Sequence, residues 1–186
     1  MGLLQDTFPD EVAAAVAKYP DGRQASAVLN LLYLAQAAYG RITDQAVEEV
    51  AEALSMDATQ VRGVVGFYTL LKEEPHGRYV VHYCTDLPCA LRGAAAFKGE
   101  VCRAFGTEFR STSADGLFSL EEAMCLADCD RAPMMQVNLE YVHDLTPETL
   151  DALVTELRAR AAAGPPPRAP YGFGPPSEIP PAAGVG

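Results

Sequence analysis

Four cysteines in two short clusters constrain this chain more than any other feature. Four residues separate Cys84 from Cys89, and three residues separate Cys125 from Cys129. Each pair follows an apolar run. Four thiolates from two loops are the soft ligands that a [2Fe-2S] cluster or a tetrahedral zinc ion needs. The spacing therefore predicts one metal cofactor held by all four side chains.

The spacing also favours iron over other cysteine chemistry. A dithiol oxidoreductase shows Cys-x-x-Cys at a helix start, and the 186 residues contain no such pair. Structural zinc usually takes two residues between its cysteines, but up to four are tolerated, so zinc stays an alternative. The longer spacing from Cys84 to Cys89 belongs to plant-type ferredoxin patterns and suits a binuclear iron cluster.

Composition narrows the classes of partner. The formal net charge of -11 argues against nucleic acid and anionic membrane surfaces, which recruit basic residues, and favours proteins as partners. No apolar run approaches the length of a membrane span, and residues 1–6 lack the pattern of an export signal. We therefore expect a cytoplasmic protein without direct membrane insertion. Two disulfides are then a weak interpretation, because cytosolic thiols are kept reduced.

The first 75 residues carry apolar stripes at helical spacing. They predict a bundle of four helices over residues 9–19, 28–39, 44–54 and 57–71. Thr43 or Asp44 is suited to cap the third helix, and Asp57 with Gln60 forms a capping-box pattern at the fourth. The aromatic pair Phe67 and Tyr68 is expected in the core.

The pattern changes at Arg78 to short strands that alternate with helices. We expect strands over 79–83, 117–124, 134–137 and 141–143, with a hairpin turn near Asn138, and helices over 90–105 and 146–163. Both cysteine loops then follow strands, where open α/β sheets place their sites. Cys102 lies in a helical pattern beside Val101 and Phe105 and is expected to be a buried structural thiol.

These patterns predict a helical domain over residues 1–75, a domain with the cysteines over 76–163 and a tail over 164–186. The tail is dominated by proline and glycine and cannot build a core. It is expected to be disordered or, alternatively, to run extended along a partner with Tyr171, Phe173 and Ile179 as anchors.

Several stretches of the chain match one known family. They are residues 83–94, 115–122, 124–138 and 144–148 with Tyr141, and in the bundle 18–20, 35–36 and 66–68. Over about residues 10–160 the sequence resembles the thioredoxin-like [2Fe-2S] subunit of respiratory complex I, the E subunit of NADH:quinone oxidoreductase. Two positions depart from the family pattern. Ala127 stands where glycine is usual, and Arg41 stands where an aromatic residue often follows the bundle glycine.

The resemblance implies an α+β fold, in which an N-terminal helical bundle precedes a thioredoxin-like [2Fe-2S] ferredoxin domain. It also implies one [2Fe-2S] cluster on Cys84, Cys89, Cys125 and Cys129. The expected partners are the flavin- and NADH-binding subunit and other peripheral-arm subunits, on the cytoplasmic side of a membrane complex. FMN and NAD are expected on the partner only, since the sequence has neither a Gly-x-Gly-x-x-Gly turn nor a P-loop. The chain would be an enzyme subunit without an active site of its own, exchanging single electrons with the flavin.

Charged residues near the cysteines suggest how the cluster is tuned. Asp86, Asp128 and Asp130 add negative charge and are expected to hold the reduction potential low, although they also fit solvated loop positions. Three histidines are available as substitute ligands, but single histidines at strand or loop positions are more often structural; they are His76, His82 and His143.

Two other functions stay open from the sequence. One is the equivalent subunit of an NAD-linked hydrogenase or formate dehydrogenase, which shares the same module. The other, from a different class, is a zinc-stabilised interaction module without a redox role. Co-purifying subunits would identify the first, and colourless protein containing zinc would identify the second.

Overall fold

A computed structural model describes residues 2–163 of the chain. The described chain divides into two compact units, one that ends at Pro75 and one that begins at His76. The two predictions for the tail concern residues 164–186, which lie outside the described residues. Within residues 2–163, no helix combines the length and the apolar character needed to span a membrane.

The first unit is a bundle of α-helices around one central helix. The helices are α1 (Leu3–Thr7), α2 (Pro9–Ala17), α3 (Val28–Tyr39), α4 (Asp44–Leu54) and α5 (Ala58–Phe67). The central helix, α3, packs against all four others. It is apolar nearly all round, and Leu31, Leu32 and Ala35 are fully buried, as expected for a helix enclosed by its neighbours. The helical bundle expected from the sequence is confirmed.

The helix ends follow local capping chemistry. The Thr43 hydroxyl accepts a hydrogen bond from Ala46 N at 3.1 Å and so caps α4. Asp57 and Gln60 form the expected capping box at the start of α5. Gly40 ends α3 with φ of 75°, a left-handed conformation that glycine adopts without steric cost.

Two features of the bundle differ from the sequence-based expectation. The short helix α1 was not predicted, and its backbone amides at Leu3 and Leu4 donate to the Glu49 carboxylate at 3.1 and 2.9 Å. Helix α5 ends at Phe67 instead of continuing to residue 71, because Tyr68 adopts an extended conformation with ψ of 107°. Phe67 is 77% exposed and Tyr68 is 39% exposed, so the prediction of a core role for this pair is wrong.

The segment after α5 is anchored by hydrogen bonds from the bundle. Gln36 is fully buried, and its amide donates to Leu70 O at 3.1 Å and accepts from Lys72 N at 2.7 Å. The Ile42 amide donates to Lys72 O at 2.7 Å. The Arg41 guanidinium donates to Glu73 O at 2.7 Å. The unusual arginine therefore takes part in holding this segment.

The second unit contains a mixed sheet of five strands in the order β2-β3-β1-β4-β5. Its strands are β1 (Tyr79–Cys84), β2 (Ser111–Thr112), β3 (Phe118–Ala123), β4 (Met135–Val137) and β5 (Glu140–Val142). Strands β1 and β3 pair in parallel, and the other pairs are antiparallel. The helices are α6 (Leu87–Leu91), α7 (Ala94–Phe105) and α8 (Pro147–Ala163). This is the expected α+β arrangement.

The connection between β1 and β2 differs from its prediction. A single helix was expected over 90–105, but α6 and α7 are separated by Gly93, whose φ of 92° breaks the helix. Cys89 consequently lies within α6 instead of before a helix. The two-residue strand β2 was not predicted. The hairpin is confirmed, and Asn138 and Leu139 form its turn with φ of 48° and 70°.

The core of the second unit places the cysteines at one edge of the sheet. All six residues of β1 are buried, and Tyr83, Phe105 and Phe118 are among the largest fully buried side chains. The carboxyl ends of the parallel strands β1 and β3 lie side by side, with Cys84 paired to Ala123. The two cysteine loops therefore leave the sheet at the same edge.

Asp115 makes the second unit sensitive to acid. Its carboxylate accepts from the Ser113 hydroxyl at 2.5 Å, from Arg158 Nη1 at 2.7 Å and from Leu117 N at 3.0 Å. The hydrogen bonds from Ser113 and then Arg158 lower the pKa of Asp115 to about 2. The contribution of the Asp115 carboxylate to the free energy of unfolding is complete above about pH 4, which is the pKa of an aspartate in an unfolded chain. This contribution is lost as the pH falls towards 2.

We expect Asp115→Asn to remove this part of the acid sensitivity. Because the carboxylate is partly exposed, the contribution is about 1 kcal/mol. Unfolding by urea at pH 2 to 6 measures it: the difference between wild type and variant should shrink as pH falls from about 4 to 2. Asp151→Asn, which removes an exposed acid of α8, is the matched control. A constant difference across this range would contradict the prediction.

Candidate metal centre

The first cysteine pair is built on the end of β1. Cys84 is the last residue of this strand, and its amide donates to Met134 O at 3.2 Å. The next residue, Thr85, donates from both its amide and its hydroxyl to Ala123 O at 2.9 and 3.1 Å. Cys89 lies in α6, and both cysteines are buried. Cys84 is thus held between the end of β3 and the residue before β4.

The second cysteine pair follows β3 and is more open. Cys125 comes two residues after the end of the strand, and Cys129 begins a 3₁₀ turn over Cys129–Arg131. Both are exposed. Between them Ala127 has φ of 62°, in the left-handed region. The loop over 125–129, here called the second cysteine loop, is the more accessible half of the site.

The four thiols influence one another electrostatically. Burial, followed by the hydrogen bond and charge of Cys84 and then by Cys129, raises the pKa of Cys89 to about 11. Desolvation, the neighbouring Cys125, and then Cys84 and Asp86 raise the pKa of Cys129. The fold therefore brings the two predicted pairs together. Crowded thiols with raised pKa values are converted to thiolates when a bound cation compensates their charge.

The arrangement fits a binuclear cluster. The thiols form two neighbouring pairs, Cys84 with Cys89 and Cys125 with Cys129. A [2Fe-2S] cluster takes four cysteine thiolates shared between two irons. The donor atoms and their pairing match this requirement.

The remaining candidate ligands have other contacts. His76 Nδ1 lies 3.1 Å from Gly77 O, His82 Nε2 lies 3.4 Å from Glu121, and His143 Nδ1 lies 2.5 Å from Asp128. Cys102 is half-buried in α7, and burial followed by a hydrogen bond with Glu108 raises its pKa. None of these contacts involves the four paired cysteines.

The acidic residues differ in their surroundings. Asp86 precedes α6 and contributes to the raised pKa of the Cys129 thiol. Asp128 is half-buried against His143, whereas Asp130 is exposed. Sequence reasoning noted all three but missed the contacts from β5 to this loop. The sequence signal for these contacts is the spacing of Tyr141 and His143, because two ring side chains two residues apart lie on the same face of a strand.

Comparison with known proteins identifies the fold. Residues 12–158 match the sequence model of the family described as thioredoxin-like [2Fe-2S] ferredoxin. The chain belongs to this family. The resemblance stated from the sequence is confirmed.

Curated relatives of this thioredoxin-like [2Fe-2S] ferredoxin share one enzyme name. The chain is 36% identical over 167 residues to the E 2 subunit of NADH-quinone oxidoreductase from Rhizobium meliloti, covering 86% of this chain and 98% of the relative. It is 35% identical to NADH-quinone oxidoreductase subunit 2 of Thermus thermophilus, covering 86% of this chain and 88% of that one. The E subunit of NADH-quinone oxidoreductase from Rickettsia bellii is 37% identical, with 77% of this chain and 86% of that one covered.

A solved structure shows the same fold. In a crystal structure of an NAD+-reducing [NiFe]-hydrogenase in the air-oxidized state, the similar region has a TM-score of 0.61 and 24% sequence identity. It covers 73% of this ferredoxin but 24% of the hydrogenase chain. The fold is therefore also found as part of a larger protein.

The departure at Ala127 has an energetic consequence in this ferredoxin. An L-residue in the left-handed conformation is strained by about 1–2 kcal/mol, whereas an added glycine costs about 0.4–1 kcal/mol of unfolded-chain entropy. We expect Ala127→Gly to raise the free energy of unfolding by up to about 1 kcal/mol in urea titrations. Ala152→Gly, at an exposed position within α8, should lower it by about 0.5–1 kcal/mol. Changes of equal sign in the two variants would contradict the strain at Ala127.

Proposed function

We propose that this chain binds one [2Fe-2S] cluster through Cys84, Cys89, Cys125 and Cys129. It would serve as the electron-transfer subunit of the NADH-oxidising module of NADH:quinone oxidoreductase and exchange single electrons with the flavin of a partner subunit. The observation that carries the proposal is the meeting of two cysteine pairs at one edge of the sheet, where Cys84 and Cys129 help to raise the pKa of Cys89, and Cys125 and Cys84 help to raise that of Cys129. The names of the relatives support the choice of complex.

The residues of this chain have separable roles in the proposal. Cys84 and Cys89 form the buried half of the site, and Cys125 and Cys129 form the half that faces outward. When bound, the cluster would supply one-electron redox chemistry. The nearby carboxylates, Asp86, Asp128 and Asp130, would disfavour added negative charge and so hold the reduction potential low.

A partner subunit is supported by apolar side chains beside the cysteine loops. Leu87 and Leu91 flank Cys89 in the sequence and are 67% and 79% exposed, and Met124 precedes Cys125 and is 85% exposed. Large apolar side chains grouped at a surface mark interaction sites. We infer that this surface packs against the flavin- and NADH-binding subunit, which holds FMN and NAD, in the peripheral arm on the cytoplasmic side of the membrane.

The match to a solved structure supports a second candidate function. The similarity to an NAD+-reducing [NiFe]-hydrogenase supports an equivalent role in such an enzyme. A formate dehydrogenase that uses the same module stays the related alternative. Affinity purification of the tagged chain from its own cells distinguishes them by the subunits recovered. Quinone oxidoreductase subunits would support the first proposal, and a nickel-containing partner would replace it with the second.

The cluster itself is tested on the full chain. We would produce it anaerobically with iron-sulfur assembly proteins, then measure iron, sulfide, zinc, visible absorption and low-temperature EPR after dithionite reduction. About two irons per chain with a signal only in the reduced state would support the proposal. One zinc per chain in a colourless protein would overturn it and leave the zinc-stabilised interaction module.

A further inference from the structure

The segment over 141–145 runs beside the second cysteine loop and the turn that follows it. The Asp144 amide donates to Arg131 O at 3.0 Å, and the Leu145 amide donates to Pro133 O at 3.0 Å. The Asp144 carboxylate accepts from Arg131 Nε at 3.3 Å. The backbone of this segment is therefore fixed against the chain that leaves the loop.

Two side chains from the same segment reach the loop itself. The Tyr141 hydroxyl donates to Leu126 O at 2.9 Å. His143 Nδ1 lies 2.5 Å from Asp128 Oδ2. The latter contact is close but makes no hydrogen bond, and it is an ion pair when the imidazole is protonated. These contacts lie on the two residues that flank Ala127, the strained position of the loop.

The two rings also support each other. The Tyr141 and His143 rings are stacked with centroids 5.7 Å apart and planes inclined by 5°. Their positions two residues apart place them on the same face, at β5 and just beyond its end. Each ring therefore limits the rotation of the other, and together they form a rigid support for an exposed loop.

We propose that Tyr141 and His143 are positioning residues for Cys125 and Cys129, and that His143 also tunes the reduction potential through Asp128. The inference rests on the proposed [2Fe-2S] function. Tyr141 holds the carbonyl of the residue after Cys125, and His143 holds the carboxylate of the residue before Cys129. Outer contacts of this kind orient metal ligands and adjust the electronic properties of the metal.

The direction of the tuning follows from charge. Reduction adds one negative charge to a cluster, and the Asp128 carboxylate beside Cys129 opposes it. The His143 imidazole, when protonated, offsets part of the charge of that carboxylate. Without the imidazole the reduced state is less favoured, so the potential falls. We expect a threefold to tenfold lower ratio of reduced to oxidised cluster at fixed solution potential, where tenfold corresponds to about 59 mV for one electron.

Three variants separate the stacking of the two rings, the contact with Asp128 and the hydrogen bond to Leu126. His143→Phe keeps a ring to stack on Tyr141 but removes the nitrogen, and His143→Asn keeps a nitrogen donor near Asp128 but removes the ring. Tyr141→Phe removes only the hydroxyl that holds Leu126. Tyr19→Phe, in the first unit, is the control for loss of a hydroxyl.

The full chain with its cluster is titrated by EPR at defined potentials, and iron release to a chelator is followed in parallel. We expect a lower potential for both His143→Phe and His143→Asn, because neither side chain can carry the positive charge of an imidazolium, and iron release several-fold faster in Tyr141→Phe. Wild-type potential and release rate in all three variants would overturn the inference while leaving the proposed function intact. A wild-type chain that binds no iron would overturn the proposed function and the inference with it.

Discussion

Replacing Cys125 or Cys129 with alanine is expected to abolish the iron-sulfur cluster. Iron content should fall from about two atoms per chain to near zero, with loss of visible absorption and of the EPR signal after reduction. The physical reason is that each cysteine supplies one of four thiolates, and a methyl group offers no donor atom. Because metal binding is coupled to folding, the melting temperature should fall as well.

These two positions give the clearest test because they are exposed. Alanine at Cys84 or Cys89, which are buried, would also remove core packing, and lost iron would then have two explanations. Cys102→Ala is the matched control, and it should retain the wild-type iron content. Full iron content in Cys125→Ala or Cys129→Ala would show that the second cysteine loop does not hold the cluster.

Replacing Gln36 with leucine is expected to destabilise the first unit by about 2–6 kcal/mol. The two side chains have similar volumes, so packing is largely kept. The variant removes the partner of Leu70 O and of Lys72 N, and each backbone group left without a partner costs about 1–3 kcal/mol. Chemical denaturation followed by far-UV circular dichroism measures the change.

Gln45→Leu is the matched control for this variant. Gln45 is exposed on α4, and its amide donates to the Glu49 carboxylate at 3.2 Å. Surface substitutions of this kind change the free energy of unfolding by about 0.5 kcal/mol or less. Equal losses in the two variants would show that the hydrogen bonds from Gln36 do not carry the effect.

Much of the fold could be predicted from local patterns. The apolar stripe over Val28–Tyr39 and the capping box at Asp57 predicted helices correctly, because both depend on residues within one or two turns. The predicted end of α5 lies four residues beyond the observed end at Phe67. The segment after Phe67 is held by Gln36 and Ile42, which are distant in sequence, and these contacts override the helical periodicity.

The candidate site likewise combines features that local sequence predicts with features that depend on tertiary contacts. The four cysteines could be chosen from their spacing, and so could the strands that precede them. The break at Gly93 and the placement of Cys89 inside α6 depend on how the β1 to β2 connection packs, which spacing does not reveal. The contacts of Tyr141 and His143 with the second cysteine loop join residues 15 positions apart in each case.

The amino-acid sequence by itself determined the family, the helical bundle, four of the five strands and the identity of the candidate ligands, since these depend on residue type and short-range periodicity. Only the tertiary structure decided which cysteine pair is buried and which is exposed, and which side chains support the loops. The reason is that parallel pairing of β1 with β3 brings Cys84 beside Ala123 across 39 positions of chain. Burial and electrostatic coupling follow from that pairing and have no local signature.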